Sequence, residues 1–436
     1  MFPHLDAFGW KVDLTVFPVS FQMTAAPNAF LLSRFFFPRL TALVRTRLAI
    51  CASFFIQGTM YATWCSRIPG IKANLHLDDA TLGSLLFLLP IGEFLSIVPN
   101  GICVTRFGSR RTTLLAGFLY PAILIALGCA TSPLQLALLL FFTGAIANLS
   151  NTAVNTQAVQ LEQRYGRSII ALFHGMWSIG GLFAVSMELL FAQFHLPILL
   201  HFGIMATGAM LLLSFSGGAL GADQSTHSPK KPRAATGLKA WRFTPAILWL
   251  GIACFGCMAC EGTVYNWSNL YLRDALRVEP THQSLAYFVY LCTMVAGRFI
   301  IDTLVNRWGI FRILFISGGM ITLGFLLTVA ASLLLTDNLP VTLCGFALIG
   351  CGTSAVVPLC CGLTSRCKEI PSGIAIAEIS TIGFMGLLLA PPLVGYLSKC
   401  FNLPIAFLVI AIISLPILLA VQRLRAILWK DAAQTP

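Results

Sequence analysis

Glu93 stands midway along an apolar stretch, behind Pro90 and Gly92, and Glu261 stands one residue before Gly262 in another. A charge at the centre of a membrane-spanning helix is disfavoured by roughly 2.5–3.5 kcal/mol on insertion scales, so a carboxyl there calls for a reason. One reason is chemistry. A carboxyl that takes a proton on one side and releases it on the other couples movement across the membrane to the proton gradient. Glu93 and Glu261 are therefore candidate proton-coupling residues, with His174 as a third. The plainer reading is a neutral carboxyl held by a hydrogen bond between helices. Glu188, near the end of a further apolar stretch, suits that reading better.

Amides and aromatics supply the other candidate contacts. Asn148, Asn151 and Asn155 fall at i, i+3 and i+7, one face of a helix, with Gln157 following. Amides so placed can bind the hydroxyls of a polar solute, or bridge to neighbouring helices. Asn151 and Asn155 are the stronger solute candidates, joined by Glu261 and Asn266. Trp177, three residues after His174 and on its face, offers an aromatic platform. Trp64 and Trp267 read as anchors at a membrane interface. Arg298 and Asp302 lie one helical turn apart and can pair. With Glu378 they read as gate residues. Cys254, Cys257 and Cys260 form a CxxCxxC run, but a metal site wants a fourth ligand. Small-residue packing is the expectation, with no metal or other cofactor. No GxxxxGK[ST] loop, HExxH or GxSxG motif occurs, so neither an ATP-driven pump nor a hydrolase is supported and no enzymatic activity is expected.

The elements that must hold these residues are legible in the composition. Of 436 residues, 57% are hydrophobic and only 10% charged, with a mean hydropathy of +0.84. A soluble chain carries roughly 25% charged residues, so a water-soluble enzyme is excluded. Twelve apolar segments are predicted at 48–66, 81–103, 112–131, 133–155, 168–192, 197–217, 245–268, 283–303, 311–334, 339–362, 373–397 and 402–422. An even number places both termini on one side. Lys and Arg decide which: 22 fall on the terminal side and 5 on the other, with Arg298 inside a span. That bias predicts cytoplasmic termini and accounts for the net charge of +12 without nucleic acid. The expected organisation is a cytoplasmic arm at 1–44, a six-helix half at 45–217, a cytoplasmic linker at 218–244, a second half at 245–422 and a cytoplasmic tail at 423–436. Met23 offers an alternative start.

The halves repeat. Gln57 to Trp64 (QGTMYATW) is matched by Glu261 to Trp267 (EGTVYNW), with Gly58 and Gly262 separated by 204. Arg106-Phe107-Gly108 is matched by Arg307-Trp308-Gly309 at 201, and Gly180 by Gly383 at 203. Repeats of even span number are parallel, related by an axis along the membrane normal. The expected fold is an all-α membrane protein of twelve transmembrane helices in two parallel six-helix repeats.

With that repeat, the loop from Gly101 to Arg111 (GICVTRFGSRR) resembles the signature of the major facilitator superfamily, departing from it at Thr105, where the family usually has Asp. Its mirror carries Asn306 there. The stretches WCSRIPGI from Trp64, EGTVYNWSNLYL from Glu261, IGCGTSAVVP from Ile349 and GFMGLLLAPPLVG from Gly383 resemble a bacterial branch near the fucose permeases, with Asn266 where that branch often has Asp. The resemblance covers about residues 45–425. It implies a secondary transporter working by alternating access, with proton-coupled uptake of a small polar solute such as a sugar. Arg106, Arg110 and Arg111 would join the cytoplasmic latch. Proton-coupled efflux of amphipathic compounds is the main rival, and a non-transporting receptor a second. The implied partners are a small-molecule substrate, protons and the lipid bilayer, the implied state a monomer, and the implied location the plasma membrane, or the inner membrane of a bacterium.

Overall fold

A computed structural model describes residues 41–166, 169–221, 244–335, 338–367, 370 and 372–433, and every regular element among them is a helix. The expected arm up to residue 40, including Met23, and linker residues 222–243 lie outside the described residues. Eleven helices are long and apolar enough to cross a membrane. Two shorter ones, Asp79–Leu95 and Ile97–Phe107, meet at a 46° bend and make up the second of twelve spans. The others run Ala42–Asn74, Ser109–Gly128, Pro133–Tyr165, Ile170–Gln193, Ile198–Ser216, Pro245–Leu270, Leu285–Trp308, Ile310–Leu333, Leu339–Leu363, Ser372–Cys400 and Leu403–Ala433. Each overlaps a predicted segment. The fourth runs ten residues beyond its prediction, and buried Gln157 ties this extension down by donating to Ser109 Oγ at 2.7 Å and to the Gly221 carbonyl at 3.1 Å.

The repeat reappears in the local chemistry. Thr41 and Thr244 cap the first and seventh spans, each hydroxyl accepting from the backbone N–H three residues on. Gly108 and Gly309 follow the second and eighth spans with φ of 85° and 82°, a conformation that L side chains rarely adopt. The packing repeats too: spans 1 and 5, 2 and 4, 3 and 6 pair as do 7 and 11, 8 and 10, 9 and 12. Between the halves, span 2 meets span 11, span 5 meets span 8 and span 1 meets span 7.

In lipid the hydrophobic effect does not drive helices together, so close approach over small residues must do so. Spans 2 and 4 show it reciprocally. A Cβ at Gly92 would lie 2.0 Å from the Phe141 carbonyl oxygen, and one at Gly144 1.9 Å from that of Leu89.

The bend in span 2 has a local cause. Pro99 cannot donate to the carbonyl of Leu95, and its ring crowds that carbonyl. The helix breaks at Ser96, between the two. The backbone oxygen of Glu93 is then caught by Asn148 Nδ2 at 2.6 Å and by Ser96 Oγ at 3.0 Å. The segment expected at 81–103 is thus one span with a break inside it. The placing of Trp64 and Trp267 at a membrane interface is corrected: both are buried inside the bundle.

Candidate functional site

A cavity of about 500 Å³ lies between the two halves, bounded by spans 1 to 5 on one side and 7, 8 and 11 on the other. Gln57, Glu93, Asn148, Asn151 and His174 reach it from the first half, and Glu261, Asn266 and Arg298 from the second. Tyr61, Tyr120, Trp177 and Tyr265 add aromatic wall. The volume falls within the range of small-molecule sites, roughly 300–1,000 Å³.

Several of these groups are already engaged. Gln57 Nε2 donates to Ser150 Oγ at 2.9 Å, and Asn266 Nδ2 to the Gly262 carbonyl at 2.8 Å. Asn148 is spent on the broken second span. The two carboxyls differ. Among the described residues that of Glu93 has no hydrogen bond or ion pair, and that of Glu261 meets only the Cys257 thiol, at 4.0 Å. One carboxyl comes from each half, and both face the same space.

Arg298 does not pair with Asp302. Its Nη1 donates across the interface to Ser178 Oγ at 2.7 Å, while Asp302 is exposed one turn away. Ser178 Oγ in turn donates to the His174 carbonyl at 3.3 Å. Helical spacing permitted the Asp302 pair, but Arg298 is oriented into the cavity and toward the other half. Asn155 is also corrected. It is absent from the cavity wall, and its Nδ2 turns back onto Asn151, 2.9 Å from the carbonyl and 2.7 Å from Oδ1.

The halves are clasped on the side opposite the chain ends. Lys72 bridges Asp79 of its own half and Asp274 of the other, the latter at 2.9 Å. Lys399 pairs with Asp78 at 3.0 Å, and Ser398 Oγ donates to Asp79 Oδ2 at 2.5 Å. Arg273 Nη1 donates to the Pro69 carbonyl at 2.5 Å, and Ser84 and Tyr396 share a hydrogen bond of 3.0 Å. Tyr61 and Tyr265 meet edge to face at 5.7 Å between centroids. Asp78 caps the second span by accepting from the Thr81 N–H, and that bond with the Lys399 pair lowers its carboxyl to about 2. Its charged form is thus favoured in the folded chain, a preference present above the ordinary carboxylate range and lost only as pH falls toward about 2.

The expected latch residues sit at the other end. Arg106 lies over the Phe107 ring at 5.7 Å, Arg110 Nη2 donates to the Gly218 carbonyl at 3.2 Å, and Arg111 is exposed. Glu378 is fully buried in span 11, away from the cavity wall. Glu188 is also outside the cavity, tied to Arg67 at 2.7 Å and His201 at 3.0 Å, which joins spans 1, 5 and 6. The ion pairs Lys72–Asp274 and Lys399–Asp78 cross between the halves on the clasped side, and Phe94 and Ile97 line the cavity from span 2.

Gln57, Tyr61, Tyr120 and Tyr265 were not among the predicted site residues. The repeat carried a signal for three of them, because Gln57 lies 204 before Glu261 and Tyr61 lies 204 before Tyr265.

Residues 48–368 match the family model described as Major Facilitator Superfamily. An MFS-type transporter of Yersinia pestis is 29% identical over 87% of this chain and 95% of its own length. A transporter of Sinorhizobium fredii is 29% identical over 83% and 94%. The cis,cis-muconate transport protein of Acinetobacter baylyi is 23% identical over 78% and 84%. Among solved structures, a mutant of the nucleoside transporter NupG superposes with a TM-score of 0.71 at 15% identity, over 88% of this chain and all of that one. A bacterial homologue of the human lysosomal transporter Spinster, inward-facing and unoccupied, gives 0.67 at 13% over 90% and 98%. The fucose:proton symporter FucP of Escherichia coli gives 0.57 at 16% over 88% and 99%. At these identities the structures speak for the fold.

Proposed function

This chain belongs to the major facilitator superfamily, and from that premise we propose that it carries a small polar solute together with protons by alternating access. It is a multi-pass membrane transporter by family and by its twelve spans. The observation that carries the finer reading is the pair of carboxyls, Glu93 and Glu261. Each half contributes one, and both face a shared cavity with no charged group within 4 Å among the described residues. Mid-membrane sites at a repeat interface, worked by rocking one half against the other, are the general design of such carriers.

Polar contact comes from Asn151 and Asn266, with Gln57 beside them and Trp177 as the aromatic wall. Amides at the cavity favour a polar solute over efflux of amphipathic compounds. One relative by sequence is named as a cis,cis-muconate transport protein, which suits a small polar solute. The Lys and Arg bias assigns the chain ends to the cytoplasm. The clasped face is then external, and the cavity opens inward.

The test is proton movement in liposomes holding the purified protein, with a pH dye inside and sugars, organic acids and cationic drugs supplied in turn outside. Solute-dependent proton flux is expected in the native chain. It should fall at least tenfold in Glu261→Gln or Glu93→Gln while solute binding persists. Solute uptake with no proton movement, or flux unchanged in both variants, would sink the coupling.

A further inference from the structure

Arg298 is the one Lys or Arg among the residues lining the cavity. A guanidinium stays protonated in proteins, so this charge cannot be removed by titration. Within a membrane such a charge is expected to be paired. Among the described residues no carboxylate lies within 4 Å of it. Its single hydrogen bond goes to a neutral hydroxyl, Ser178 Oγ, and its Nε is buried without a partner. The guanidinium therefore lines a solute-sized space with only one of its five N–H donors engaged. Its planar fork matches a carboxylate bidentately.

We propose that the solute carries a carboxylate group, which docks on Arg298. This deepens the transport reading and rests on it only in taking the cavity as the solute site. A neutral sugar would leave the guanidinium uncompensated, whereas an organic acid or sugar acid completes it. The titratable groups in electrostatic reach of Arg298 are His174 on span 5 and Cys257, Glu261 and Tyr265 on span 7. Of these Glu261 is the carboxyl. Ionised, it competes with a solute anion for the guanidinium; protonated, it leaves the guanidinium to the solute. Acid and proton then occupy the cavity together, as a pair of zero net charge. Because Arg298 reaches from span 8 to span 5, a carboxylate bound to it also sits where the two halves meet.

The experiment reads binding without flux, on the full chain in detergent, by tryptophan fluorescence (Trp177 lines the cavity) and by thermal stability. The probes are acid and neutral partners of similar shape: glucuronate with glucose and benzoate with benzamide, with cis,cis-muconate as a diacid. Saturable binding is expected for at least one acid and none for its neutral partner. Arg298→Gln should weaken acid binding by about tenfold or more, Arg298→Lys by less. Ser178→Ala removes the tie to span 5 but keeps the guanidinium, so it should hold or strengthen acid binding. Unliganded melting temperature and a monodisperse elution profile show that each variant is folded. The proposal falls if no acid binds, if neutral partners bind as tightly, if Arg298→Gln binds the acid normally, or if Ser178→Ala loses binding as Arg298→Gln does. Acid binding with no transport would overturn the carrier reading and leave the Arg298 site standing.

Discussion

Two asparagines that share a helix face have different work. Asn148 holds the backbone oxygen of Glu93 at the broken second span, while Asn155 bonds only its own helix. Asn148→Leu leaves a part-buried carbonyl with only the Ser96 hydroxyl and should lower stability by about 1 kcal/mol. Asn155→Leu should change it by about 0.5 kcal/mol or less. Thermal unfolding in detergent decides it, and equal losses would refute the assignment. At this scale the sequence was informative where a residue type conflicts with its surroundings. Glu93 and Glu261 stand out because a carboxyl in an apolar run is costly, and both reach the cavity. Arg298 stood out equally, but its partner did not. Helical spacing offers only neighbours on the same helix, and Ser178 is 120 residues away on another.

The spans themselves were the most legible layer, since about twenty apolar residues bounded by polar ones can do little else. Hydropathy is blind to what happens inside a span. It passes smoothly over Pro99 and so misses the break at Ser96, which turns the later part of span 2 by 46° between the cavity-lining Phe94 and Ile97. Nor does it tell a glycine at a helix crossing from one facing open space. Gly144 would place a Cβ 1.9 Å from the Leu89 carbonyl oxygen, whereas Gly203 has nothing within 4 Å. Gly144→Ala should therefore cost about 1–3 kcal/mol through separation of spans 2 and 4. Gly203→Ala should be neutral or mildly stabilising. Matching melting temperatures for the two variants would contradict the packing described.

For the molecule as a whole, three matched offsets in the sequence were enough to reveal two parallel halves, because the internal repeat writes the same crossings twice. The state in which the halves stand left no such trace. It rests on cross-half pairs such as Lys72 with Asp274 and Asp78 with Lys399, more than two hundred residues apart and without any local pattern. Lys72→Met removes the cation shared by Asp79 and Asp274. It should shift the balance away from the clasped state by about fivefold, the worth of about 1 kcal/mol. Electron–electron resonance distances between labels at Leu75 and Asn402, in a chain with its native cysteines replaced, should lengthen in the major population. An unchanged distribution would mean the clasp is held elsewhere. Its construction also bears on speed. Partly exposed ion pairs are each worth about 1 kcal/mol or less, and water solvates their charges as soon as they part. Conformers of such carriers need differ by only a few kcal/mol, a gap that the preferential binding of one solute can close. A door fastened by weak, rehydratable contacts can open on every cycle, and it sets no deep trap between one turnover and the next.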